Sequence, residues 1–311
     1  MKKTFRIIGS FIIWSFLLTT WSFAASGNAE PCETKAIKDI VYKKVDGHEL
    51  KMNLFLPVRN GVPLTKVPVL VNIDSGCWYS DQPGDGGLWR TCKGVEKGNA
   101  VVSVAHRSLK DGYVFPAQIE DVKAAIRFLR AHAKDYGLDP DRIAVLGTSS
   151  GGHLACMLGI PDSVKDFDVG ENLEYSSQVQ RVINFYCIAD MYQLLKNHPF
   201  KCVDCLYLVL GAKKDGDKPL YEQAPTLLEA ARKYSPATYI SKDSSPTLTL
   251  QGVKDKIVPC SQSALFYEYL TLAGVRSELF MSNAGVHGVK SIASEEVLEK
   301  LIFDFLQWDH E

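Results

Sequence analysis

The sequence predicts an α/β fold: a mainly parallel central sheet with helices on both faces and a small insertion beside the functional edge. Three observations carry this. Short apolar runs, typical of strands buried on both sides, alternate with amphipathic helical stretches through most of the chain. One run, Ile143 to Leu146, passes through Gly147-Thr148-Ser149-Ser150-Gly151 directly into an apolar helical pattern at Leu154, Cys156, Met157 and Leu158. The 311 residues, 46% hydrophobic and 23% charged, suffice for one large domain with a sizeable core, and they contain no repeat or low-complexity tract.

The elements follow in order. Lys2, Lys3 and Arg6 precede an uncharged apolar stretch, Ile7 to Phe23, and Ser22-Phe23-Ala24 places small residues where a signal peptidase cuts. Residues 1–24 therefore read as a signal peptide, a retained membrane anchor being the alternative. Residues 25–37 read as an N-terminal extension and 38–311 as the domain. Removing residues 1–24 takes away three positive charges and no negative one, moving the net charge from −1 to −4. No basic surface argues for nucleic acid or anionic lipid.

Ile40–Val45 and Leu50–Leu56 read as strands joined by an Asp46-Gly47 hairpin, and Val67–Ile73 and Ala100–Val104 as buried strands. The clearest helix starts at Pro116 and ends at Tyr136-Gly137. Ile119, Val122, Ala125/Ile126 and Leu129 form its apolar stripe, with Glu120, Lys123, Arg127 and Arg130 expected outward. Asp139-Pro140-Asp141 reads as a turn. Further strands are expected at Val179–Tyr186, Thr247–Leu250 and Ser277–Met281, with helices at Ser261–Ala273 and Ser294–Trp308. Met191–Ser241 breaks the rhythm with short helical pieces and reads as the insertion.

Candidate chemistry centres on Ser149. A serine on a tight strand-to-helix turn needs small neighbours two residues before and after it, here Gly147 and Gly151. A serine hydroxyl also needs an oriented base. Downstream, Asp255 lies in the loop after the Thr247–Leu250 strand, and His287 lies between Gly285 and Gly288 after the next strand. The order Ser149, Asp255, His287 is that of a nucleophile, acid and base on successive loops at one sheet edge. Asp190 is a substitute acid, and His153 reads as a packing residue. Backbone amides of Gly76, Cys77 and Ser150 are candidate oxyanion donors. Trp78 and Tyr79 read either as a substrate wall or as packing aromatics.

Eight cysteines in an exported chain permit disulfides. Cys77–Cys92 and Cys202–Cys205 are the two pairs expected from spacing, with a redox or metal half-site the alternative for the second. Cys156 reads as a small buried hydrophobe.

Phe115-Pro116-Ala117-Gln118-Ile119-Glu120-Asp121, Asp139-Pro140-Asp141-Arg142-Ile143-Ala144 and the Ser149 turn together resemble the carboxylesterase branch of the α/β-hydrolase fold, which includes bacterial acetyl xylan and feruloyl esterases. Leu208-Val209-Leu210-Gly211 and Ser235-Pro236-Ala237 are similar to that family's insertion. The resemblance, over about residues 38–308, implies a catalytic triad of Ser149, Asp255 and His287 and a serine esterase needing neither metal nor organic cofactor. With export, to the periplasm or the extracellular space, it implies a small-molecule or carbohydrate-linked acetyl or feruloyl ester as substrate. A serine peptidase of the same fold and a silent binding scaffold are the alternatives. The departure is at the oxyanion loop, where the family usually carries His-Gly-Gly-Gly-Trp and this chain has Asp74-Ser75-Gly76-Cys77-Trp78.

Overall fold

The computed structural model describes residues 31–85, 93–199 and 203–308. The expected signal peptide lies outside them. The sheet comprises β1 (Glu33–Val45), β2 (His48–Arg59), β3 (Val62–Pro63), β4 (Val67–Ile73), β5 (Ala100–Val104), β6 (Leu138–Thr148), β7 (Arg181–Phe185), β8 (Thr247–Gly252) and β9 (Ser277–Ser282). Its order is β1-β2-β5-β4-β6-β7-β8-β9, with β3 on β2. The strands from β5 to β9 run parallel, while β1 and β2 are antiparallel additions at one end. Chain order reverses at β4, which has β5 on one side and β6 on the other. Loops leaving β4 and β6 therefore diverge and open a crevice at their carboxyl ends.

Burial follows from this layering. β5 and β7 are buried at every residue, as expected of parallel strands covered on both faces. Alternate residues of β6 enter different cores: Ile143 and Val145 pack on one face, Ala144 and Leu146 on the other. The first face is closed by α1 (Ala117–Ala131) and α3 (Ser150–Leu158). The opposite face is closed by Leu298, Ile302 and Phe305 of the last helix, Glu295–Phe305.

Several expectations are corrected. β1 starts at Glu33, so part of the expected extension belongs to the sheet. The long helix breaks at His132, and a short α2 (Ala133–Tyr136) follows, capped by Gly137 at φ 69°. The Asp139-Pro140-Asp141 turn is an irregularity within β6, between the pairs Val67–Leu138 and Val69–Ile143. The Asp139 carboxylate accepts the Asp141 amide there at 3.0 Å, which satisfies the looped-out backbone.

The charged side of α1 also differs. Lys123, Arg127 and Arg130 are buried, because the segment after α3 closes over them and offers matching acceptors. Arg127 reaches Asp168 at 2.8 Å and the carbonyls of Val169 and Glu171, while Arg130 reaches the carbonyls of Pro140, Ser176 and Gln178. Buried charges survive only when so paired.

The expected insertion consists of short helices, including α4 (Met191–Asn197), α5 (Asp204–Val209) and α6 (Ala224–Lys233). Among the described residues, no helix is long and apolar enough to cross a membrane.

Candidate active site

Ser149 sits at the apex between β6 and α3 with φ 54° and ψ −119°, a region costly for a residue with a Cβ. The sequence permits the turn because its flanks are glycine. A Cβ on Gly147 would collide with the Gly151 carbonyl, and one on Gly151 with the carbonyls of Ile73 and Asp74. The second contact ties the serine turn to the start of the loop after β4. The Ser149 amide donates to the Phe185 carbonyl at 2.9 Å, anchoring the apex to β7.

The three residues read from the sequence converge here. His287 Nε2 lies 3.1 Å from Ser149 Oγ, and His287 Nδ1 lies 2.7 Å from Asp255 Oδ2. The Asp255 side chain is fully buried and the His287 imidazole is largely so. Burial alone would raise the Asp255 pKa. Hydrogen bonds from His287 and from the amides of Val258 and Ile257 outweigh it and hold the carboxyl below its ordinary value. The acid and histidine loops meet through Gly252, where a Cβ would strike the Gly285 backbone.

Asp190 is elsewhere in chemistry: it caps α4, accepting the Gln193 amide at 2.8 Å, and is not a second acid. His153 is a packing residue, as expected, with Nε2 against the Tyr234 carbonyl at 2.7 Å. Cys156 is buried with its sulfur 3.6 Å from that of Cys187.

The loop after β4 makes a tight turn. Tyr79 N–H donates to the Gly76 carbonyl at 2.9 Å, and both intervening residues, Cys77 and Trp78, have positive φ, 56° and 59°. Among the described residues the amides of Gly76 and Cys77 meet no backbone acceptor. Ser150 is the first residue of α3, so its N–H lacks a partner within the helix. The Asn72 side-chain amide donates to Asp74 Oδ1 at 2.9 Å and anchors that carboxylate at the loop's start.

Two expectations fail in this loop. Trp78 is no substrate wall: it is 1% exposed and packs edge-on against Phe115 and His153, at 5.4 and 5.6 Å between ring centres. Tyr79, 40% exposed, stays available. Cys77 bonds to Cys205 of α5, across 128 residues, and this excludes both expected pairs, Cys77–Cys92 and Cys202–Cys205. Cys92 and Cys202 themselves lie outside the described residues. Local spacing suggested short bridges, whereas the topology brings α5 over the β4 loop.

Sequence reasoning missed two neighbours of the triad. Tyr186, one residue beyond β7 and at φ 43°, packs its ring 4.3 Å from the His287 imidazole. Gln251, fully buried in β8, directs Nε2 at Asp255 Oδ2 at 3.3 Å while accepting from Ser263 at 2.8 Å. Their position at the carboxyl ends of strands flanking the serine was the available signal. Among the described residues, no group of histidine, cysteine and carboxylate side chains is arranged to hold a metal.

Comparison with known proteins places the fold. Residues 52–270 match the family model described as BD-FAE. Esterase LipQ of Mycobacterium tuberculosis is 28% identical over 78% of this chain and 56% of its own length. The chain spans about half the length of the curated relatives it matches. A truncated carbohydrate esterase from gut microbiota superposes with a TM-score of 0.71 at 25% identity, over 89% of this chain and 99% of that one. A bifunctional GH43-CE protein of Bacteroides eggerthii is 32% identical with a TM-score of 0.67, over 87% of this chain and 35% of that one. Serine turn, parallel sheet and sequence match agree: the chain belongs to the BD-FAE family, a carboxylesterase family of the α/β-hydrolase fold.

Proposed function

We propose that the chain is an exported serine esterase that hydrolyses carboxylic esters through an acyl-enzyme on Ser149. The observation that carries the reading is the continuous line Ser149–His287–Asp255, at 3.1 and 2.7 Å, at the apex of a strained turn. His287 Nε2 removes the proton as Ser149 Oγ attacks the ester carbonyl, and buried Asp255 holds Nδ1–H and stabilises the imidazolium. Amides of Gly76, Cys77 and Ser150 receive the developing oxyanion. The ester C–O bond then breaks as His287 returns the proton to the leaving alcohol. Water attacks the acyl-enzyme by the same sequence and releases the acid.

The substrate class within this reading is a carbohydrate-linked acetyl or feruloyl ester. Exposed Tyr79 offers a ring face beside the oxyanion loop. It also lines a surface groove of about 480 Å³ with Leu109, Lys110, Val114 and Leu208, whose ring and aliphatic surfaces could take the apolar face of a sugar or an aryl group. The gut carbohydrate esterase supports the same class. Export is supported by the Cys77–Cys205 disulfide, a bond that persists in oxidising compartments.

The test is hydrolysis of acetyl, butyryl, octanoyl and feruloyl esters by the wild type beside Ser149→Ala. Near-complete loss in the variant, together with fluorophosphonate labelling of the wild type alone, supports the mechanism. Preference among the esters sorts acetyl from feruloyl activity. A folded wild type that neither labels nor hydrolyses any ester rejects it.

A further inference from the structure

Cys77 stands where a turn demands glycine-like backbone. The hydrogen bond from Tyr79 N–H to the Gly76 carbonyl closes a four-residue turn whose two central residues are both at positive φ. Those are the signs of a type I′ turn, which favours glycine, asparagine or aspartate at its centre. A non-glycine residue there carries a penalty equivalent to roughly a tenfold shift in population. Something must hold each central residue. Trp78 is held by its buried indole, and the Leu109 amide donates to its carbonyl at 2.9 Å. Cys77 has no such burial, and its side chain is fixed by the bond to buried Cys205. The turn's entry is fixed separately, by Gly151 against the Ile73 and Asp74 carbonyls.

We propose that Cys205 is a positioning residue for the reaction: its bond to Cys77 holds the oxyanion turn in the positive-φ conformation that a glycine would adopt unaided. The inference rests on the serine esterase reading, in which the Cys77 amide faces the developing oxyanion. It makes α5 of the insertion part of the oxyanion hole's support, and it makes turnover sensitive to reduction of one bond.

The experiment compares two double variants that both lack the bond and differ only at position 77: Cys77→Ser with Cys205→Ser, and Cys77→Gly with Cys205→Ser. Serine retains the Cβ and its penalty, and glycine does not. On p-nitrophenyl acetate, the serine variant should lose about tenfold or more in kcat with KM within about twofold, because the hole acts on the transition state. The glycine variant should recover most of that kcat. A bond that merely stabilised the fold would leave the two variants equally impaired, and that result overturns the proposal. So does a serine variant with wild-type kcat. Where the serine variant fails to fold by circular dichroism, wild-type kcat is followed against the fraction of reduced Cys77 measured by mass spectrometry. Loss of kcat in step with reduction supports the proposal, and full kcat with Cys77 reduced overturns it. A wild type without Ser149-dependent hydrolysis instead sinks the esterase reading itself, so the two failures are distinguishable.

Discussion

Replacing Asp255 by asparagine isolates the acid's role, because it changes charge and hydrogen-bond polarity while keeping shape. Asp255 Oδ1 accepts two backbone amides, Ile257 at 2.8 Å and Val258 at 3.0 Å. Only the carboxamide oxygen can satisfy two donors, so the oxygen of the new side chain takes that place and its NH2 replaces Oδ2. The NH2 then faces His287 Nδ1, which in the native protein lies 2.7 Å from Oδ2, and also the Gln251 amide donor. An imidazole facing a donor presents a lone pair at Nδ1 and carries its proton on Nε2. That proton points at Ser149 Oγ, 3.1 Å away, and the base is lost. The same tautomer error in a Ser-His-Asp protease lowers kcat by about 10⁴-fold, roughly 5 kcal/mol of barrier. We expect a comparable fall in kcat/KM for Asp255→Asn, measured on p-nitrophenyl acetate at about pH 7.5, above the ordinary histidine range, with circular dichroism unchanged. Asp190→Asn, which alters only a helix cap, should retain activity. An Asp255→Asn enzyme within about tenfold of wild type would refute the assignment of Asp255 as the orienting acid.

Two further predictions concern neighbours of the site. Trp78→Ala and Tyr79→Ala should separate cleanly: the first removes a buried indole and should cost about 3–5 kcal/mol in urea unfolding. The second should leave stability near wild type and raise KM for feruloyl or xylan-linked acetyl esters, with p-nitrophenyl acetate little affected; equal KM values on all substrates would remove Tyr79 from the binding surface. His153 makes the fold acid-sensitive, since burial lowers its pKa from 6.5 to about 4, partly offset by its bond to the Tyr234 carbonyl. The folded state keeps it neutral while the unfolded chain binds a proton below about pH 6.5, so stability falls as pH drops from about 6.5 to about 4, by about 3 kcal/mol. His153→Gln, which keeps a donor toward Tyr234, should lose that much less across the same window in chemical unfolding; parallel pH curves for the two proteins would refute the attribution.

What the sequence made legible was whatever has a local signature. β4 and β5 fall where their apolar runs place them, and the serine turn is visible because glycine must flank it. Ser149, Asp255 and His287 could be found together because each follows a strand and all parallel strands end at one edge. Long-range partnerships were not legible. Arg127 looks like an outward charge on a helical wheel, and only the loop that brings Asp168 to it 41 residues later makes it internal. Cys77 reads as a partner for nearby Cys92 until α5 is seen to cross the turn. Trp78 is ambiguous in sequence because its positive φ, which accompanies an inward ring, belongs to a turn that no dipeptide rule predicts for Cys-Trp.

The two features by which the loop after β4 departs from a glycine run, an aspartate and a cysteine, have one explanation in the topology. The crevice lies between β4 and β6, so the segment 74–78 must turn sharply beside Ser149 whatever its composition. A glycine run meets that demand by having no side chains to accommodate. Here the same path carries four side chains, and three of them have an external anchor: Asn72 for Asp74, Cys205 for Cys77, and the Phe115–His153 pair for Trp78. Pre-organised donors act without reorganisation at the moment of reaction. An anchored loop should therefore tolerate substitution at its anchors less well than a glycine loop tolerates substitution at the equivalent places. The anchors come from β4, from the insertion, from α3 and from the segment leading into α1, so the loop's geometry is set by parts of the chain that do not touch the substrate.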